Sequence, residues 1–275
     1  MTHFNQQFDF PPTHLVTDMD GTFLPLPDHP EHLQALQHFR TLRESTSFGL
    51  VYCTGRHFES VQSALEEYSL PIPDWIICDV GTSIYEKKSE GFTLFNTYQN
   101  HLADHVGDDK RSTVLDLLDP VQHLDLQCDA HQGLFKISYE CVTDYTEQLV
   151  DEVADLLEEE QLTYEVHGSI DPFRKCGLID VLPKGVSKAY AVKWLATHAD
   201  FTPDHVLYAG DSGNDLTALS AGFRSILVSN ASPGLASKIR DRLGDAETDR
   251  YLYCAAGSAT SGVLEGCRYF GMLPE

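Results

Sequence analysis

The 275-residue chain has a formal net charge of −23 and 42% hydrophobic residues, enough for a substantial globular core. So acidic a chain repels nucleic-acid phosphates and anionic lipid surfaces, and no apolar run approaches the roughly 20 residues of a membrane span. The seven cysteines form no C-x-x-C pair, and several sit in apolar runs, which predicts reduced thiols and no zinc site. The opening MTHFNQQFDFPP is polar and lacks the charged start and apolar middle of a secretion signal, so a cytoplasmic location is expected.

Taken in chain order, Leu15–Thr17 reads as a short apolar strand ending at Asp18. A helical pattern covers Glu31–Arg43, a buried strand Phe48–Cys53, a helix Phe58–Tyr68, and a third strand Trp75–Cys78. Strands alternating with helices predict βαβ units and a parallel sheet. From about residue 83 to 177 the rhythm changes. LFKISYE alternates with period two, placing Phe135, Ile137 and Tyr139 on one face and Lys136, Ser138 and Glu140 on the other. The segment Asp144–Glu160 carries an apolar stripe of Leu149, Val153, Leu156 and Leu157 against an acidic outer side, which predicts a helix. These features predict an α+β insert with an antiparallel sheet. The parallel rhythm is expected to resume at GLIDVLP. A helix then runs over Ser187–His198, a strand over His205–Tyr208, a helix over Asp215–Ala221 and a strand over Ser225–Val228, with two further α/β units to the end. The expected architecture is a doubly wound parallel-sheet core, residues 1–83 and 178–275, interrupted by a cap domain, residues 84–177.

Four segments carry candidate chemistry. In Asp18-Met19-Asp20-Gly21-Thr22, two aspartates follow a buried strand, at the edge where open α/β sheets bind ligands. An ionised carboxylate there can attack phosphorus. A second one nearby tends to hold its proton and suits acid/base work. A solvated turn explains the same residues. Thr54-Gly55-Arg56 offers a hydroxyl and backbone N–H groups where a strand enters a helix, which is an anion site or an ordinary helix cap. Lys188 sits in the first turn of a helix, unfavourably against the helix dipole, which makes sense if it faces an anion. A solvated surface lysine is the plain alternative, and Lys184 is a rival one turn earlier. Gly210-Asp211-Ser212-Gly213-Asn214-Asp215 follows another strand and could complete an oxygen-only site for Mg²⁺, or simply cap the next helix.

In this order and at these places, the four segments resemble the motifs of the haloacid-dehalogenase superfamily of phosphohydrolases. A cap between the second and third motifs resembles subclass IIB, whose cap is of the α/β (C2B) type. PDWIICDVGTSIY, FKISYE, IDVLPKGVSK and SGVLEGCRYFG further resemble the sucrose-phosphate phosphatase branch. The likeness spans nearly the whole chain, strongest in the core and loose in most of the cap.

The resemblance implies a Mg²⁺-dependent sugar-phosphate phosphatase. Asp18 would be the nucleophile and a metal ligand, and Asp20 the acid/base with its backbone carbonyl on the metal. Thr54 would bind phosphoryl oxygens, and Lys188 would neutralise charge on the nucleophile and phosphoryl group. Asp211 would ligate the metal, supported by Asn214 and Asp215. The family usually has glycine after this lysine; Ala189 stands there instead, which keeps Lys184 in play. Candidate substrate contacts are Gly55, Arg56, Gly81, Thr82, Lys136, Ser138, Arg174 (beside Lys175) and Asn214. A phosphosugar mutase would use the same core and cap, whereas a non-catalytic sugar-phosphate sensor would not need both aspartates. The expected partner is a small sugar phosphate, with sucrose 6-phosphate leading and glycosyl phosphates of the glucosylglycerate or mannosylfructose type beside it. No nucleic acid or membrane is expected, and oligomeric state leaves no signal in the sequence.

Overall fold

The computed structural model describes residues 8–109, 111–170, 174–199 and 201–274; residues 1–7 of the polar N-terminal stretch lie outside them. The strands are β1 (His14–Thr17), β2 (Gly49–Cys53), β3 (Trp75–Cys78), β4 (Ser83–Lys88), β5 (Gly91–Leu94), β6 (Asp125–Leu126), β7 (Ile137–Cys141), β8 (Tyr164–Ile170), β9 (Gly177–Pro183), β10 (Val206–Gly210), β11 (Arg224–Leu227) and β12 (Leu252–Cys254). The helices are α1 (Pro30–Ser45), α2 (Phe58–Glu67), α3 (Asn96–Val106), α4 (Arg111–Leu118), α5 (Thr146–Glu159), α6 (Lys188–His198), α7 (Leu216–Leu219), α8 (Leu235–Leu243), α9 (Asp245–Tyr251) and α10 (Ala259–Tyr269).

An eight-stranded sheet runs in the order β12-β11-β10-β1-β2-β3-β4-β5. Its pairs are parallel from β12 to β3, and the β4–β5 hairpin extends it antiparallel. The central strands are apolar throughout because both faces are covered. Leu15, Leu50, Tyr52, Ile76, Cys78, Leu207 and Ala209 enter one cluster with Leu36 and Phe39 of α1, Leu65 of α2 and Cys267 of α10. The alternate residues Val16, Val51, Cys53, Ile77, Val206 and Tyr208 enter the other, with Leu102 of α3, Val192 and Leu195 of α6 and Ile239 of α8. This is the doubly wound α/β architecture expected. Each fully buried Leu or Val contributes roughly 1.5–3 kcal/mol to holding the layers together.

A second, antiparallel sheet has the order β6-β7-β9-β8. One face, with Ile137, Tyr139, Ile179 and Val181, packs on Leu149, Val153 and Leu157 of α5. Three expectations are corrected here. GLIDVLP does not resume the parallel sheet: as β9 it is the inner strand of the small sheet, between β7 and β8. Its mostly apolar run, interrupted by Asp180 and taken as a core strand, reflects burial within the small sheet. Ser83–Lys88 and Gly91–Leu94, expected at and beyond the start of the insert, belong to the large sheet. The last stretch adds one strand, β12, not two. Among the described residues, no helix is long and apolar enough to cross a membrane.

Candidate active site

Four candidate segments meet because β10, β1, β2 and β3 are neighbours. The parallel register pairs Thr17 with Ala209 and with Tyr52, so Asp18, Thr54 and Asp211 leave the same edge of the sheet. Backbone bonds fix these exits: Asp18 N–H donates to Ala209 O at 2.9 Å, Thr54 N–H to Ile77 O at 2.9 Å, and Val80 N–H to Thr54 O at 3.1 Å.

Lys188 opens α6 behind Ser187, whose hydroxyl caps the helix by accepting the Tyr190 N–H at 3.3 Å. Its side chain is 0% exposed and donates to Asp18 Oδ1 at 2.8 Å, Asp215 Oδ1 at 2.8 Å and Asn214 Oδ1 at 3.0 Å. Lys184 is exposed, so Lys188 is the lysine at Asp18. Burial opposes the ammonium charge, yet Asp18 and Asp215 hold Lys188 protonated, above the ordinary lysine range.

Burial pushes the Asp18 carboxyl well above its ordinary value. Lys188 pulls it back, while Asp215, Asp211 and Asp20 push further. Asp211 is pushed up to about 7, first by burial and next by Asp215, although Thr22 donates its hydroxyl to Asp211 Oδ1 at 2.8 Å. Asp215 plays a different structural part. Its Oδ1 accepts from Lys188 and from the Tyr208 hydroxyl at 2.7 Å. Its Oδ2 accepts the N–H groups of Asp211 and Ser212 at 3.2 and 3.1 Å. Both oxygens thus brace the lysine and the Asp211 turn.

Carboxylate oxygens of Asp18, Asp211 and Asp215 lie within 4.8 Å of one another. Hard oxygen donors at this spacing fit Mg²⁺, which takes few carboxylates and completes its shell with water or phosphate. The repulsion that raises Asp18 and Asp211 is what a divalent cation would relieve. With both Asp215 oxygens engaged, Asp18 and Asp211 are the side chains best placed to hold it.

The Asp20 carboxylate is held separately from these three. Arg56 donates Nε and Nη2 to its two carboxylate oxygens, and Nη1 to Ser60 Oγ at 3.1 Å. Arg56 therefore sits on an acid of the first motif, and its backbone N–H donates to Thr54 Oγ1 at 3.2 Å. Thr54 is buried, and Gly55 lies beside the Asn214 side chain.

The other candidate contacts divide. The Gly81 carbonyl accepts the Tyr98 hydroxyl at 2.6 Å, the Thr82 hydroxyl donates to Asp79 O, and the Thr82 carbonyl accepts from Gln99. These two residues thus tie the turn after β3 to α3. Lys136 reaches from the small sheet to the core, with Nζ 3.5 Å from Asp79 Oδ1 and 3.4 Å from Gly55 O. Ser138 is also buried and donates to Asp180 Oδ1 at 2.5 Å. Arg174, on the small-sheet side, pairs with Glu140 at 2.8 Å and is exposed. Sequence reasoning missed Thr22, Tyr208, Asp79 and Asp180. All four lie inside segments singled out above, without a signal of their own there.

A model of the sucrose-6F-phosphate phosphohydrolase family matches residues 11–271. A HAD-like hydrolase of Nitrosococcus oceani is 32% identical, aligning 93% of this chain with 71% of its own. The mannosylfructose-phosphate phosphatase of Agrobacterium fabrum is 28% identical over 95% of this chain and 98% of its own. The solved sucrose-phosphatase from Synechocystis, in complex with sucrose and phosphate, superposes with a TM-score of 0.78 at 27% identity, covering 95% of this chain and 98% of that one. The chain therefore belongs to the sucrose-6F-phosphate phosphohydrolase family, within the haloacid-dehalogenase phosphatases.

Proposed function

We propose that this protein hydrolyses a sugar-phosphate monoester through an aspartyl-phosphate on Asp18. The observation that carries this reading is the Lys188 ammonium, fully buried and 2.8 Å from Asp18 Oδ1, at the sheet edge where Thr54 and Asp211 also emerge. A buried cation there stabilises both the attacking carboxylate and the incoming phosphoryl group.

In this reading Lys188 holds Asp18 Oδ1, which leaves Oδ2 to attack phosphorus. The bond from phosphorus to the sugar oxygen breaks, and the leaving oxygen takes a proton from Asp20. Water then attacks the same phosphorus, gives a proton to Asp20, and releases Asp18 and inorganic phosphate. The Thr54 hydroxyl donates to a phosphoryl oxygen. Mg²⁺, held by Asp18 and Asp211 and by the Asp20 backbone carbonyl, would supply further positive charge to the phosphoryl oxygens. The antiparallel sheet closes over the alcohol side, with Lys136 reaching beside Gly55, and so keeps bulk water out during transfer.

Sucrose 6-phosphate or a related glycosyl phosphate is the proposed substrate. The family's description and the mannosylfructose-phosphate and sucrose phosphatases among its relatives support that class. The test is phosphate release from a panel of sugar and disaccharide phosphates, after chelation and after Mg²⁺ is restored. Turnover should vanish with chelator, return with Mg²⁺, and fall on the order of 10³-fold or more in Asp18→Asn. Turnover indifferent to chelator would overturn the metal assignment, and an active Asp18→Asn would overturn the nucleophile.

A further inference from the structure

The polar face of the small sheet turns toward the core. Directly paired residues of an antiparallel sheet share a face, so Ser138, Asp180 and His167 lie side by side across β7, β9 and β8. Glu165 belongs to the same face, two positions along β8 from His167, and Lys136, just before β7, lies two positions from Ser138. This face lies over the loops of the site: Lys136 reaches Gly55 O, and β8 lies against the turn Gly213–Asp215.

The lysine charge on it is already matched. Lys136 is 5% exposed and faces Asp79 Oδ1 at 3.5 Å, and His167 pairs with Glu165 at 3.0 Å. Asp180 adds a further carboxylate, bonded only to the neutral Ser138 hydroxyl among the bonds described. Asp79 is 6% exposed, and its Oδ1 has no hydrogen-bond partner. That oxygen is closed to solvent and turned to the Lys136 ammonium, so a second carboxylate placed beside the pair finds no unmatched positive charge there.

Resting on the phosphatase reading above, we propose that Asp79 is a specificity-determining residue: by matching the charge of Lys136 it removes the attraction a carboxylate would otherwise find there, so the site selects phosphate esters of neutral polyols and rejects alcohols that carry a carboxylate. Glycosyl phosphates of the sucrose or mannosylfructose kind satisfy this rule, whereas a glucosylglycerate kind, with its acid group, does not.

Glucitol 6-phosphate and gluconate 6-phosphate isolate the point, because they differ only by a hydroxymethyl group or a carboxylate at carbon 1. The wild type should favour the neutral ester in kcat/KM by at least about tenfold. Asp79→Asn, which leaves the Lys136 charge unmatched, should cut that preference about tenfold, and Lys136→Gln should increase it. Turnover of para-nitrophenyl phosphate reports whether each variant is folded. If neither of the two esters turns over, the same ratios are read from their competitive inhibition of that turnover. Equal acceptance by the wild type, or a preference unmoved in both variants, overturns the proposal. No phosphate release from any ester would instead sink the phosphatase reading, and calorimetric affinities of the two esters would still decide the charge rule.

Discussion

Arg56 donates Nε and Nη2 to the two carboxylate oxygens of Asp20, each at 2.6 Å. The Asp20 contact is the first cause holding the guanidinium above its ordinary pKa. This planar fork fixes the direction of the carboxylate that the mechanism asks to exchange protons. Lysine carries the charge without the fork. Arg56→Lys should therefore lower kcat by about tenfold to a hundredfold, the cost of a misplaced catalytic group, with KM shifted far less. Steady-state kinetics on any accepted sugar phosphate checks it. A raised KM at unchanged kcat would make Arg56 a ground-state contact to substrate.

Lys188 separates Asp18 from Asp215 and touches both at 2.8 Å, with all three side chains nearly or fully buried. Removing one partner of such a group leaves like charges facing each other in a poorly solvated place. Lys188→Met should cost about 3–5 kcal/mol of stability in chelator. Mg²⁺ should return part of that loss, because a cation on Asp18 and Asp211 offsets the same repulsion. Urea unfolding of both proteins, with chelator and with Mg²⁺, gives the answer. A loss unaffected by Mg²⁺ would place the cation elsewhere.

The site was legible where chemistry sits at strand ends, because adjacency in a parallel sheet brings distant segments to one edge. Asp18 and Asp211 are 193 positions apart, yet β1 and β10 are neighbours, and a strand-end reading of each was sufficient. Lys188 was separable from Lys184 only in three dimensions, since both lie near the start of one helix. The alternation in LFKISYE correctly divided Phe135, Ile137 and Tyr139 from Lys136 and Ser138. It did not show that Lys136 and Ser138 are also buried, because the core covers the second face. GLIDVLP misled for the same reason, since an apolar run reports burial and not the sheet that provides it. Asp79 was invisible as a functional residue: its partner lies 57 positions away in another sheet, and only the closed arrangement of the two sheets joins them.

Gly81 has φ +103°, and a Cβ there would run into the Ser187 carbonyl immediately before Lys188. Gly91, at φ +116°, has open space around the same position. Both substitutions to alanine impose backbone strain of about 1–3 kcal/mol, but only Gly81→Ala pushes on the cap of α6. Gly81→Ala should be the less stable variant and should also lose kcat, whereas Gly91→Ala should keep wild-type kcat. Thermal unfolding and kinetics on the two variants separate strain from displacement. Matching losses in both would show that the Ser187 contact plays no part in placing Lys188.

His32 is fully buried in the first turn of α1. Its Nδ1 accepts the Leu26 N–H at 3.1 Å, which places the ring proton on Nε2, donating to Ser258 Oγ at 2.9 Å. Burial holds the pKa below the ordinary histidine value, His29 adds to the effect, and Glu31 opposes it. The unfolded chain then binds more protons than the folded one between the two values, so stability rises with pH across that window. The contribution of His32 is complete above about pH 6.5 and is lost as pH falls toward the folded value. His32→Asn keeps an acceptor for Leu26 but leaves Ser258 without its donor, costing about 1–3 kcal/mol at pH 7. Because asparagine does not titrate, that cost should shrink as the pH is lowered to 5. Urea midpoints of both proteins at pH 7, 6 and 5 test the convergence. Parallel curves would assign the acid sensitivity to others of the 13 histidines, most of which have at least partial access to water.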